Sequence, residues 1–171
     1  MVFLLLLTPG AALQAGKLSF SEGRFSVEMP AEWKKSSAKG DPSALLQYDA
    51  PGGSGSFSIY QLPVLKGRKA DLEGTLTVRV GAFEKAGLKL GAKVQSQKQD
   101  NFDGKSAIFG VVPVETTAQG EVVRFTYYLV LIDAKDSVIV MQAALPRPLP
   151  PELQKDALSI IQSFREKSPG S

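Results

Sequence analysis

Two runs, "VVRFTYYLVLI" (122–132) and "SVIVMQAAL" (137–145), constrain the fold more than any other part of the chain. Val, Ile, Tyr and Phe favour extended backbone, and successive side chains of a strand point to opposite faces. Both faces of each run are almost wholly apolar, so both strands need cover on two sides. They belong at the centre of a sheet with layers packed above and below.

The flanking sequence supplies the neighbours. Asp103-Gly104, Gly120 in "TTAQGE" and "DAKD" (133–136) are turn signals, so strands at about 92–101, 105–115, 121–132 and 137–145 follow one another as a meander. The stretch 92–101 is rich in Lys and Gln and suits an edge. Earlier in the chain, Phe25, Val27 and Met29 alternate with Ser26 and Glu28, a strand with one buried face closed by Pro30. Residues 45–49 give another short strand, then "APGGSG", which cannot hold regular structure and reads as a flexible hairpin loop, and "SFSIYQL" (56–62), alternating through Phe57 and Ile59.

Two stretches change period. Leu72, Leu76, Val80 and Phe83 recur at helical spacing over 71–86, with Asp71 placed to cap and Gly87 to stop the helix. Gly74 and Gly81 inside it each cost about 1 kcal/mol relative to alanine. After "LPRPLPP", Leu153, Ala157, Ile160, Ile161 and Phe164 form one apolar stripe over 152–165, its start preset by Pro150 and Pro151. A chain of 171 residues with these elements fits one α+β domain, an antiparallel sheet flanked by helices as an α-β-α sandwich.

The N-terminus, "MVFLLLLTPGAALQAG", has an apolar run from Val2 to Leu7 followed by small residues at Ala11, Ala12 and Ala15. It resembles the apolar core and cleavage region of a secretory signal and is too short to span a bilayer comfortably. The expected partition is a signal over 1–16, cleaved after Ala12 or Ala15, a domain over 17–167 and a frayed tail over 168–171. No Lys or Arg precedes the run, as a true start upstream of Met1 would explain. A buried first strand is the alternative. Export implies a periplasmic or extracellular protein with no transmembrane span once the signal is removed.

Composition removes several chemistries. With neither cysteine nor histidine, the chain has no disulfide, no thiolate nucleophile or thiolate-held metal, no imidazole base and not the commonest metal ligand, and no cofactor or metal is expected. The net charge of +3 is the difference between 20 basic and 17 acidic residues scattered along the chain, not the concentrated basic face of a nucleic-acid binder. Lys66, Arg68 and Lys69 do cluster, in "KGRK"; this is a solvated loop or a docking patch.

Three short motifs fail on context. Gly104-Lys105-Ser106 resembles the end of a phosphate-binding loop, but Gln99 stands where its first glycine belongs and a strand follows. "SSAK" (36–39) has the serine-lysine spacing of acyl-enzymes without the helix or partner motifs. "DNFDG" (100–104) would need a glutamate where Val111 stands to close a calcium loop. One positive remains, because Arg124, Thr126 and Tyr128 interrupt one face of a central strand and buried polar groups need partners. Either that end emerges from beneath its helix with Arg124 in solvent, or the three line a groove for an anionic or peptide-like ligand.

Phe25, Val27, Pro30 and Trp33, spaced F-x-V-x-x-P-x-x-W, are followed by paired strands, a helix, a meander with "DGKSA" at its first turn and a final amphipathic helix. This arrangement resembles the PsbP and DcrB superfamily, which also includes a Ran-binding nuclear-import factor, over nearly the whole domain. The resemblance implies an antiparallel sheet between helices and no particular activity. Metal sites proposed for photosystem members use histidine and many envelope members carry a lipid-anchored cysteine; both are absent, so no functional residue transfers. Within it, Phe25, Val27, Pro30 and Trp33 are expected to form a structural corner, with Trp33 folded back over the sheet's end; an exposed ligand platform is the alternative reading of the indole.

The function expected on these grounds is a non-catalytic, exported domain binding a protein partner or envelope component. The alternatives are a small-ligand carrier or an enzyme with a groove around Arg124 and Tyr128, and an accessory subunit of a photosynthetic or other membrane complex. The partner and the oligomeric state are not legible in the sequence.

Overall fold

The structure is a computed structural model that describes residues 15–37, 40–91 and 94–167. The expected signal over 1–16 and the tail over 168–171 therefore lie almost entirely outside the described residues. In chain order the strands are β1 (Gly16–Phe20), β2 (Phe25–Met29), β3 (Lys34–Lys35), β4 (Leu46–Asp49), β5 (Ser56–Pro63), β6 (Lys89–Leu90), β7 (Gln95–Phe102), β8 (Lys105–Ala118), β9 (Glu121–Asp133), β10 (Ser137–Pro146) and β11 (Arg165–Glu166). Helix α1 (Leu72–Lys85) lies between β5 and β6, and α2 (Pro151–Gln162) between β10 and β11.

The main sheet has the order β3-β4-β5-β10-β9-β8-β6, and β7 also pairs with β8. Its ladders are antiparallel, and β9 and β10 occupy the middle, where apolar residues on both faces require them. On one face Phe57, Ile59, Val130, Ile132, Ile139 and Met141 join Leu153, Ala157, Ile160 and Ile161 of α2 in one core. On the other, Leu129, Leu131, Val138, Val140 and Val112 pack with Leu76 and Phe83 of α1.

The expected single sheet between helices is corrected in one respect. A second sheet, β1-β2-β11, shares the α2 face and contributes Phe20, Phe25, Val27 and Met29 to that core. The helix expected to reach 165 ends at Gln162 instead. The Ser163 hydroxyl bonds the Ile160 carbonyl at 2.6 Å, and Phe164, fully buried, stacks between Phe25 and Phe102. Burying that ring turns the chain out of the helix, so that Arg165 and Glu166 pair with Ser26 and Phe25. The "APGGSG" loop is also more ordered than expected, with a 3-10 turn over Pro51–Gly53 and Ala50 N–H bonded to the Gly55 carbonyl at 2.8 Å.

Two junctions tie the small sheet to the rest. Arg24 donates to Asp136 at 2.7 and 2.9 Å, to Glu166 at 2.8 Å and to the Ala134 carbonyl at 3.0 Å, joining the start of β2 to the β9–β10 turn and to β11. Trp33, 3% exposed, meets Phe57 edge-on at 6.4 Å and donates its indole N–H to Asp156 of α2 at 3.2 Å. Its own backbone N–H bonds the Pro30 carbonyl at 3.1 Å, the turn that brings the ring back over the sheet. Among the described residues no helix is long and apolar enough to cross a membrane.

Candidate functional site

Helix α1 covers its face of the sheet incompletely. Its apolar stripe runs Leu72, Leu76, Phe83, and Arg79 falls on that same stripe, one turn from Leu76. A guanidinium aimed at a sheet needs acceptors, and the strands beneath supply them. Arg79 Nε and Nη2 both donate to Gln142 Oε1, at 3.1 and 2.9 Å, and its Cζ sits 3.9 Å above the centre of the Tyr60 ring.

Around this contact lies a recess of about 330 Å³ lined by polar side chains of adjacent strands. Gln47 of β4, Ser58 of β5 and Gln142 of β10 stand in register across its floor, with Ser56 and Tyr127 beside them. Ala82 and Phe83 of α1 and Ala86 just after it line the recess on the helix side, and exposed Asp41 lines it from the loop before β4. The Gln47 carboxamide lies where a Cβ at Gly40 would sit, so a side chain at 40 would make Gln47 swing aside.

The ionisable groups here have fixed roles. Asp41 accepts from the Ser43 hydroxyl at 2.6 Å and backbone N–H at 2.9 Å, and these bonds hold its carboxyl below the usual range; Arg79 and the Tyr60 hydroxyl act in the same direction. Burial pushes the Tyr127 phenol up, the neighbouring Tyr60 adds to this and Arg79 opposes it. Tyr127 is therefore a neutral hydrogen-bonding group at neutral pH, and Asp41 an anion. One cation and one anion thus face a floor of hydroxyls and carboxamides. Among the described residues no cluster of carboxylates forms a metal site.

The residues singled out in the sequence lie elsewhere. Arg124, Thr126 and Tyr128 share one face of β9, opposite Glu115, Pro113 and Val111 of β8, but they do not share a pocket. Arg124 is exposed and paired to Glu115 at 2.9 Å, and Thr126 is buried. Tyr128 borders an apolar cleft of about 70 Å³ between the β8–β9 pair and α2, with Phe109, Leu145 and Leu158. Lys66, Arg68 and Lys69 are exposed on the loop between β5 and α1, in a turn where Arg68 N–H bonds the Leu65 carbonyl at 2.9 Å. None of the three is ion-paired with a described residue. Asp103 and Gly104 of "DNFDG" take positive φ values of 52° and 72° at the β7–β8 turn, where Gly104 N–H bonds the Asn101 side chain at 3.1 Å.

The recess had three marks in the sequence. Ser56, Ser58 and Tyr60 alternate with Phe57 and Ile59, Gln142 is the one carboxamide in an apolar run, and Arg79 interrupts a helical stripe. The reasoning applied to Arg124 applies to each, since all face the interior of a sheet covered on both sides.

No protein-family model matches the sequence, and no curated protein matches it. Solved structures do. Cyanobacterial PsbP (CyanoP) from Synechocystis sp. PCC 6803 superposes with a TM-score of 0.64 at 10% identity, over 95% of this chain and 99% of that one. The Saccharomyces cerevisiae Ran-binding protein Mog1p gives a TM-score of 0.60 at 13% identity, over 90% and 96%. A Bacteroides thetaiotaomicron protein gives 0.60 at 14% identity, over 92% of this chain and 50% of that one. At such identities the likeness is one of fold: the chain has the PsbP-like fold that its opening motif resembles.

Proposed function

We propose that this chain is a non-catalytic, exported binding domain of the cell envelope that engages its partner through the recess beside α1. The observation that carries this reading is the Arg79 arrangement, a guanidinium held between Tyr60 and Gln142 above a row of uncharged hydrogen-bonding groups. A pre-formed concavity with a few convergent polar groups is how binding sites are ordinarily built. The groups lining the recess offer hydrogen bonds and charge without a paired nucleophile and base. The yeast Ran-binding protein of the same fold is a precedent for a binding role. The apolar N-terminal run and its small residues motivate export.

Thermal denaturation of the purified chain against a library of small polar compounds and peptides tests the reading. A ligand held at about a hundred times its Kd adds roughly 2.7 kcal/mol to stability. At least one compound is expected to raise the Tm of the wild type and not that of Arg79→Gln, and to be recovered chemically unchanged. Stabilisation that survives Arg79→Gln would move the site elsewhere, and a converted compound would overturn the non-catalytic assignment. For export, the intact mass of the protein recovered from its native host should correspond to cleavage after Ala12 or Ala15; an uncleaved cytosolic product would overturn it.

A further inference from the structure

We propose that the recess selects a small zwitterion, a free amino acid or short peptide with both termini uncapped, its carboxylate on Arg79 and its ammonium on Asp41. This rests on the reading of the recess as the binding site and adds the chemistry of what enters it. Tyr60 sets the geometry. Its ring lies beneath the Arg79 guanidinium with Cζ 3.9 Å from the centroid, and Asp41 lines the same recess from the loop before β4. The buried Tyr60 ring thus fixes the positive pole, and Asp41, on an exposed loop, supplies the negative one.

Neither pole is used up by the protein. Arg79 spends Nε and Nη2 on Gln142, and among the described residues no hydrogen bond engages Nη1. Asp41 Oδ1 takes both Ser43 bonds, and no ion pair joins Asp41 to a described residue. Gln142 carries two amide donors beside Arg79, and Tyr127 a neutral hydroxyl, so a carboxylate there meets donors of both charge types. At the other end Asp41, with the Gln47 carboxamide, supplies acceptors for an ammonium.

Competing ligand classes fit less well. A phosphate or dicarboxylate placed on Arg79 would bring a second negative charge into a recess that already holds the Asp41 anion. A sugar ordinarily stacks its C–H face on a free aromatic ring, and neither tyrosine offers one. The Tyr127 ring is stacked on Phe83 at 4.0 Å with 11° between planes, and Arg79 covers Tyr60. A volume of about 330 Å³ accommodates a residue or two of peptide.

The test is a titration of the ¹⁵N-labelled chain, followed by amide chemical shifts, with dialanine, N-acetyl-dialanine, dialanine amide and glucose. Dialanine should shift the Ser58, Ala82 and Gln142 amides saturably, and each capped form should bind at least tenfold more weakly. Asp41→Asn, on an exposed loop, should abolish the penalty for N-acetylation and keep the penalty for amidation. Capped peptides or glucose binding at the same amides as tightly as dialanine would overturn the zwitterion assignment and leave the recess as the site. No shift at these amides with any of the four probes would overturn the assignment; only if the compound library also failed would the recess reading fall with it.

Discussion

Arg79 and Tyr60 form a single unit, with the guanidinium carbon 3.9 Å above the ring centre and two of its nitrogens bonded to one oxygen of Gln142. Planarity is what permits both contacts at once. A lysine at 79 keeps the charge but can neither lie flat on the ring nor present two parallel N–H groups to Gln142. Arg79→Lys is therefore expected to cost about 1 kcal/mol in urea denaturation from the lost cation–π contact and bidentate bond. It should also weaken ligand binding at the recess. An unchanged denaturation midpoint would mean that this contact adds nothing to the folded state.

Arg24 gives a prediction in pH. Its bonds hold the Asp136 carboxyl below the ordinary range. Burial raises Glu166, but bonds from Lys105 and Arg24 outweigh this and leave it lowered as well. Carboxyls depressed on folding add stability that is fully present above their unfolded pKa, near 4, and is lost as pH falls through the lower folded values. Arg24→Ala should cost about 1 kcal/mol at neutral pH, since the group is partly exposed. The gap between variant and wild type should narrow as pH drops below about 4. A gap that stays constant down to acid unfolding would show that Arg24 acts through packing on Phe25 and its bond to the Ala134 carbonyl instead.

The central strands were legible because nothing but a two-sided burial explains an apolar run such as Val138 to Met141. α1 was legible through Asp71, which caps Gly74 N–H at 2.8 Å, and Gly87, which takes a φ of +84°. β3, β6 and β11 were not, since two residues carry no period, and their pairing is decided by what packs nearby, as Phe164 decides β11. The recess was missed for a different reason. Its residues come from β4, β5, β10, α1 and a loop, and each alone is an ordinary polar position. Strand order, which no local pattern states, is what brings Gln47, Ser58 and Gln142 into one row.

The corner around Trp33 separates two kinds of burial. Trp33→Phe keeps an aromatic ring near Phe57 and loses the indole bond to Asp156, for an expected cost of about 1 kcal/mol. Trp33→Ala empties the site and should cost about 3–5 kcal/mol. Because Trp33 is the sole tryptophan, wild-type emission should be blue-shifted and move red on unfolding. Emission already at the solvent-exposed wavelength in the native protein would contradict the burial.

Arg124 is the stringent control for the choice of site. Its pair with Glu115 is surface-exposed, 57% on the arginine side, and pairs of this kind are worth about 0–1 kcal/mol. Arg124→Ala is thus expected to shift stability by less than about 0.5 kcal/mol and to leave ligand-induced stabilisation at the recess untouched. The comparison discriminates because both are arginine cations, one on α1 lying flat against Tyr60 and bonded to a central strand, the other extended from the β8–β9 hairpin. If Arg124→Ala abolished binding and Arg79→Gln did not, the functional face would be the one bearing Tyr128 and α2. The recess beside α1 would then be a packing defect bridged by Arg79.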